Sequence, residues 1–433
     1  MKRKFLKSTF ILLLGGLLTK LLGMIIKISM ADLLGSEGIG MYMMVLPTFL
    51  LFMNLAQMGL PLALSKLVSE ETRKTRNLYF SIIPIILFIN SLLIIGIIVL
   101  APFISNTLLK KEETYLSIIA IAFVIPFTTL SSICRSYFLG KGKMSPHVIS
   151  NIVEDLVRLL LIRILIPKII PLGLKYTTFF LISFNIVSEL LSTMVLLLFL
   201  PKNVKIKKSD LKPNKEYQKE SLKIGIPNTT SRIIGSTTMF LEPIVLTNGL
   251  LKAHYTIDYI TKQYGIISGY VLPILLLPSF FTQAISQAIF PILSKDYAEK
   301  EKKQLKMHLN LSIFLCLLIG IPITIVLRKN PIFFLKHIYH TKEGISYLTF
   351  LAPICLLEYI QSPLGIFLEA INKSKENMKA SFLGMLSRTI LLWFFTKHNF
   401  GIKSLLLSIS FNIILTTLYQ TIQIKKYFKN DKI

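Results

Sequence analysis

GGLLTKLLGMIIKISM, residues 15–30, sets two lysines into an apolar block that runs from Ser8 to Met30. The block is long enough to cross a bilayer, for which about 20 apolar residues suffice. It is too long for the apolar core of a signal peptide, and no small-x-small cleavage site follows it, so it is expected to remain as the first helix. Blocks of the same kind recur down the chain. Spanning helices are predicted at 8–30, 40–65, 78–101, 115–139, 147–167, 177–200, 222–250, 264–292, 308–328, 345–369, 378–396 and 402–423. The expected fold is an all-α polytopic membrane protein of about twelve transmembrane helices.

Composition agrees with that reading. Hydrophobic residues make up 53% of the 433, and the mean hydropathy is +0.63. The net charge of +27 could suit nucleic acid, but the basic residues sit between the apolar blocks, where cytoplasmic loops collect them, so no nucleic-acid partner is expected. Placing the N-terminus inside puts the Lys- and Arg-rich loops on the cytoplasmic side. An even number of crossings then leaves both termini in the cytoplasm and the protein in the cell membrane. Cys134, Cys316 and Cys355 lie in apolar segments without CxxC spacing, which suggests neither a disulfide framework nor a metal site. The chain has no Walker loop, HExxH or nucleophile elbow, and two histidines a turn apart, His337 and His340, are a weak metal signal. No enzyme activity, cofactor or metal is expected.

An internal repeat divides the chain. Thr19-Lys20-Leu21-Leu22-Gly23 recurs as Ser231-Arg232-Ile233-Ile234-Gly235, and Pro61, Ser65 and Lys66 as Pro291, Ser294 and Lys295. Phe138-Leu139 and Arg158 recur as Phe367-Leu368 and Arg388, with spacings that differ by one residue. Three matches in the same order imply duplication: a six-helix half over 1–200, a basic cytoplasmic linker over 201–221, and a second half over 222–433. Six crossings separate the copies, so the two repeats should be parallel, related by an axis along the membrane normal. The linker lysines fit a solvated cytoplasmic segment, and also contact with anionic lipid head groups.

Charges inside the predicted helices carry the functional reading, because each needs a partner, a water-filled cavity or an escape to the interface. Gly16, Lys20, Gly23 and Lys27 follow at spacings of four, three and four, which places them on one helical face. The matching face of the seventh helix carries Asn228, Arg232, Gly235, Met239 and Glu242. Such a face suits a cavity for an anionic substrate; alternatively the glycines permit close helix packing and Lys27 snorkels to an interface. Glu154 and Arg158, four apart on the fifth helix, can pair along it, either as a structural pair or as a switch that opens when substrate phosphate competes for the arginine. Arg135, Arg163, Arg388, Glu189, Glu358 and Glu369 complete the intramembrane set. Twelve prolines, Pro47, Pro61 and Pro278 among them, fall in the predicted helices and should bend them.

Three stretches resemble a known family: GGLLTKLLGMIIKISMADLLGSEGIGMYMMVLPTFLLFMNLAQMGLPLALSKLVSEE (15–71), RSYFLGKGKMSPHVISNIVEDLVR (135–158) and YGIISGYVLPILLLPSFFTQAISQAIFPILSKDYAE (264–299). In combination they are similar to the stage V sporulation protein B group of the multidrug/oligosaccharidyl-lipid/polysaccharide (MOP) exporter superfamily, which includes the lipid II flippases. The resemblance implies a V-shaped, MATE-like pair of six-helix bundles. It also implies that the protein moves a polyprenyl-pyrophosphate-linked saccharide, such as a peptidoglycan precursor, across the membrane by alternating access. Lys20 and Arg232 match two cavity arginines of those flippases. Lysine keeps the charge but not the bidentate fork, the second-helix arginine has no match at Leu51-Phe52-Met53-Asn54, and the two extra C-terminal helices of many relatives are not expected here. On this reading Lys20, Lys27, Arg135, Arg232 and Asn228 bind the substrate, while Glu154, Arg158, Glu242 and Arg388 govern conformation or coupling. The partners are the lipid-linked oligosaccharide and membrane lipids. Two readings stand beside it: a cation-coupled multidrug exporter of the same superfamily, and a non-transporting membrane scaffold that recruits cell-wall synthesis enzymes.

Overall fold

In the computed structural model, which describes residues 2–70, 75–200 and 212–430, every regular element described is helical. The residues of the linker from 201 to 211 lie outside the described set. The first part of the chain folds as α1 (Lys2–Gln57), α2 (Leu60–Ser69), α3 (Thr75–Pro102), α4 (Tyr115–Gly140), α5 (Met144–Ile169), α6 (Leu174–Leu198) and α7 (Lys215–Lys252). The second part contains α8 (Ile257–Gly265), α9 (Leu272–Leu275), α10 (Pro278–Ala298), α11 (Lys302–Lys329), α12 (Pro331–Tyr339), α13 (Ile345–Ala370), α14 (Ser374–Lys397) and α15 (Lys403–Asn430). Among the described residues, eight long helices are apolar enough to span a membrane, and α8 to α10 add a ninth as one bent span. Counting the kinked α1 as two crossings, and adding α5 and α7, whose charges set them apart, gives the twelve expected from sequence. The protein is an all-α, multi-pass membrane protein.

Helix α1 covers the first two predicted spans without a loop. Gly35 turns the chain between them at φ 67°, a left-handed conformation that glycine adopts without steric penalty. The second span then ends earlier than predicted, at Gln57, and Pro61 opens the separate helix α2 instead of bending a continuous one. Proline suits that position because the first N–H groups of a helix have no intrahelical acceptor. A similar revision applies to the predicted helix at 264–292. Pro273 denies an N–H to the turn before it, residues 266–271 relax into a π-helical turn, and Pro278 opens α10 after a 45° bend. The hydroxyl of the fully buried Tyr359 donates to the Leu275 carbonyl, 2.7 Å away, at this break.

The chain packs as two compact units, Met1–Phe240 and Leu241–Ile433. In the first, α4 packs on α6, α5 on α1 and α6, and α2 and α3 on α4. Leu60, Leu64, Leu67, Leu78, Ile82 and Ile133 form one of its cores, with Tyr217, Leu222 and Ile224 of α7 packed against it. In the second, α10, α11, α13 and α15 surround a core that includes Leu293, Leu309, Leu364, Phe367 and Leu368, and α14 packs on α15. The boundary between the units falls inside α7, whose first part packs with the helices before it, and not at the linker expected from sequence. Outward faces are apolar, as for Leu87, Phe88, Leu92, Ile95 and Val99 along α3. Such a face is stable against lipid, not water.

The described end of the linker is tied to α3. Asn77 donates to the Lys212 carbonyl at 2.9 Å, Gln218 to the Ser81 carbonyl at 2.8 Å, and the Asn214 N–H to the Ser81 hydroxyl at 2.8 Å. A few residues further on, Gly225 of α7 lies against the break between α1 and α2. A Cβ on Gly225 would sit 2.6 Å from the Met58 carbonyl oxygen, and one on Gly59, at φ 62°, 2.5 Å from the Gly225 carbonyl oxygen. Both obstacles are backbone. Gly225→Val should therefore lower the thermal unfolding midpoint in detergent, consistent with the ~1–3 kcal/mol typical of overpacking. Gly96→Ala on α3, where a Cβ meets open space, should leave it unchanged or raise it; equal losses in the two variants would refute the close approach.

Candidate functional site

The charges inside the helices fall into two groups. Lys20, Lys27 and Arg232 are exposed, as is Asn228. Arg135, Glu154, Arg158 and Glu189 are drawn together in the first unit, and Glu242 and Arg388 in the second. Arg135, which the sequence groups with the lysines, lies among carboxylates.

The faces of α1 explain the first group. Gly15, Ile26, Ser29 and Met30 are buried where α1 meets α5, and a Cβ on Gly15 would collide with Val148. Leu14, Leu18, Leu21 and Ile25 form an exposed apolar stripe. At 100° per residue, Gly16, Lys20, Gly23 and Lys27 lie roughly opposite that stripe. A Cβ on Gly16 or Gly23 would meet nothing within 4 Å. Close packing therefore accounts for Gly15 and not for the two glycines between the lysines. One open face suits lipid. The other carries ammonium groups in a membrane-spanning segment, where a charge calls for a partner, water or the interface.

The second group is a network across α4, α5 and α6. Nη2 of Arg135 donates to Glu154 Oε2 at 2.5 Å, Ser192 Oγ at 2.8 Å and Glu189 Oε2 at 3.1 Å. Glu154 accepts from Arg158 through its other oxygen, also at 2.5 Å, as the four-residue spacing predicted, and Asp155 lies 4.0 Å from the same guanidinium. Three carboxylates thus face two guanidiniums. The side chains of Arg135, Glu154 and Glu189 are 15%, 12% and 7% exposed, so water screens little of their attraction. The Nε groups of both arginines have no hydrogen-bond partner. Near the other end of α5, Arg163 reaches α1, 3.6 Å from Asp32 and 3.1 Å from the Ser29 hydroxyl.

In the second unit, Arg388 Nε lies 2.6 Å from Glu242 Oε2, the separation of an ion pair but without hydrogen-bond alignment. Tyr264 donates to the other Glu242 oxygen at 3.3 Å. The turns after α4 and α13 show that Arg158 and Arg388 occupy equivalent places. Lys141 N–H bonds Tyr137 O, Gly142 bonds Leu139, and Lys143 bonds Phe138; Ile371 bonds Phe367, Asn372 bonds Glu369, and Lys373 bonds Leu368. One shift carries each bond onto its counterpart, and the same shift carries Arg158 onto Arg388. It aligns Phe138 with Leu368, which removes the one-residue discrepancy in the sequence match. His337 and His340 serve the end of α12: His337 stacks on Phe333 and bonds its carbonyl, and His340 takes a left-handed φ of 52°.

Sequence reasoning allowed Glu189 a pairing with one of the intramembrane arginines without choosing Arg135, and it passed over Ser192, three residues on and on the same face of α6. It also passed over Asp32 as the partner of Arg163. Both pairings join helices distant in sequence, and single-helix spacing does not reveal them.

Broken helices, intramembrane cations and a buried ionic network belong to a multi-pass α-helical membrane protein. The model of the family described as polysaccharide biosynthesis protein matches residues 5–297, and the MatE model residues 268–394. The chain belongs to the polysaccharide biosynthesis protein family, within the MOP superfamily. It is 32% identical to stage V sporulation protein B of Bacillus subtilis over 98% of this chain and 84% of that protein. It is 23% identical to lipid II flippase MurJ of the same organism, covering 90% and 77% of the two chains. Its fold is shared with a solved structure of lipid II flippase MurJ (TM-score 0.72, 17% identity, 97% and 87% covered) and an inward-facing multidrug resistance MATE family transporter (TM-score 0.71, 16% identity, 96% of each covered).

Glu154 accepts from two arginines, whereas among the described arginines Glu189 accepts from Arg135 alone. Glu154→Gln should therefore destabilise the protein more than Glu189→Gln does, with a loss approaching the ~3–5 kcal/mol of a broken buried pair. Unfolding midpoints in detergent would test this, and equal shifts would contradict the assignment.

Proposed function

We propose that the protein is a flippase that carries a polyprenyl-pyrophosphate-linked saccharide across the cell membrane, both termini lying in the cytoplasm. The observation that carries this reading is the face of α1 on which Lys20 and Lys27 stand exposed opposite a lipid-suited stripe, repeated on α7 by Arg232 and Asn228. Kinship with stage V sporulation protein B and lipid II flippase MurJ supports it.

The chemistry follows from the charges. A pyrophosphate entering the membrane loses water and needs cations in its place. Lys20, Lys27 and Arg232 supply them and Asn228 adds an amide donor, while the saccharide stays in water and the polyprenyl chain in lipid. The pairs Glu154–Arg158 and Glu242–Arg388 hold one conformer until the cargo phosphate competes for a guanidinium, and Arg135 is released only when that network opens. The membrane potential adds a driving force of about 2.3 kcal/mol per charge per 100 mV. The exporter alternative is less favoured because three of the exposed intrahelical groups are cations, which repel cationic drugs. Cell-wall synthesis enzymes would be the partners under a scaffold role.

Reconstitution into vesicles with a lipid-linked saccharide on one face, followed by an accessibility assay on the other, tests the reading. Lys20→Ala and Arg232→Ala should each slow transfer at least tenfold, equivalent to about 1.4 kcal/mol. Proton-dependent efflux of cationic dyes without flipping would favour drug export. Alanine variants that flip nothing yet fully support wall synthesis in cells would favour the scaffold.

A further inference from the structure

The second unit contains a polar cavity of about 270 Å³ to which nothing so far assigns a role. Glu358, Gln361, Gly365 and Glu369 line it from α13, where spacings of three, four and four place them on one face. Ser279 lines it from α10, Asn377 from α14 and Gln420 from α15. Glu369, near the end of α13, is exposed, whereas Ser279 and Gln420 are nine-tenths or more buried. The space exceeds that of one ion or one water molecule, which occupies ~30 Å³ in the liquid.

A comparison with the first unit shows why this space is open. The shift that carries Arg158 onto Arg388 carries Arg135 onto Gly365 and Glu154 onto Gly384. Where one unit sets a guanidinium among carboxylates, the other has bare backbone beside a cavity. What remains around the cavity is rich in acceptors. Glu369 Oε1 accepts from Asn377 Nδ2 at 3.0 Å, and Asn377 Oδ1 accepts from Gln420 Nε2 at 2.8 Å. An ionised carboxylate can only accept, so this chain orients both amides and leaves Gln420 Oε1 as the unused atom. Among the described residues neither that oxygen nor Ser279 Oγ has a hydrogen-bond partner. Gln361 Nε2 is engaged by the Ile413 carbonyl and the Thr417 hydroxyl, both at 3.1 Å, so the rest of its amide is again an acceptor. Glu358 adds a carboxylate, on which the charge of Arg388 also acts.

We propose that this cavity binds the saccharide of the lipid-linked cargo through its ring hydroxyls, an inference that rests on the transport reading. Each hydroxyl brings a donor, and donors are what Glu358, Gln361 and Gln420 call for. A ring that supplies them relieves the cost of leaving buried oxygens unpaired. A single metal ion suits the lining less well. Glu358 and Glu369 lie roughly 16 Å apart along α13, too far for one cation to bridge, whereas hydroxyls around a sugar ring meet acceptors from several helices at once.

The test uses the full chain in phosphatidylcholine nanodiscs, free of glycosidic detergent. Cellobiose, an uncharged disaccharide, is the probe, and saturation-transfer NMR follows its binding. The parent should bind cellobiose but not its permethylated form, which has lost every O–H donor. Glu358→Gln should weaken binding at least tenfold. Gly365→Arg, which places a guanidinium where the first unit has one, should abolish it. Ser381→Trp obstructs the cavity from an exposed position. It should lower affinity with the unfolding midpoint unchanged, which keeps the test decisive if Gly365→Arg fails to fold. The vesicle transfer assay on the parent runs in parallel. Transfer of the lipid-linked saccharide without cellobiose binding, or with binding that survives all three substitutions, overturns this proposal and leaves the transport reading standing. Binding that the substitutions remove, in a parent that transfers nothing, overturns the transport reading and leaves the sugar site. A midpoint raised by sodium chloride over potassium chloride, with no cellobiose binding, overturns the proposal in favour of a cation site.

Discussion

A charge placed in a membrane-spanning helix has to be neutralised by a partner or kept wet, and most of the interior of this protein follows from that requirement. Arg135 and Arg158 are neutralised by Glu154, with Glu189 and Asp155 alongside. Arg163 finds Asp32 and Arg388 finds Glu242. The side chains of Lys20, Lys27 and Arg232 are exposed. Buried pairs bind helices to one another.

Two arginines that stand at the same distance from matching turns take different partners. Arg158 and Arg388 occupy the same place relative to matching turns, yet the first takes its carboxylate from one turn earlier on its own helix and the second from α7. An intrahelical pair is set by local geometry and survives movement of neighbouring helices. A pair between helices breaks when they part.

Proline and glycine set where the helices can bend. Gly35 and the Pro273–Pro278 segment interrupt long helices, and at the second break Tyr359 donates to a carbonyl that the bend leaves without its helical donor. Gly59 and Gly225 allow the α1–α2 break to rest on α7. In an apolar medium an unpaired carbonyl is costly, so a bend survives only where a side chain or another backbone supplies a partner.

The sequence by itself determined the all-helical membrane fold, most of the spans and the Glu154–Arg158 pair. Each is encoded locally, by runs of apolar residues or by a spacing of four on one helix. It also marked Lys20 and Lys27 as sharing a face, because helical periodicity fixes faces before any packing occurs. Only the tertiary structure decided which charges are buried and which are exposed. It moved Arg135 in among carboxylates, gave Glu242 to Arg388, assigned close packing to Gly15 in place of Gly16 and Gly23, and gathered Glu358, Asn377 and Gln420 around one cavity. Those outcomes depend on which helix lies beside which, and periodicity along a single helix carries no information about its neighbours.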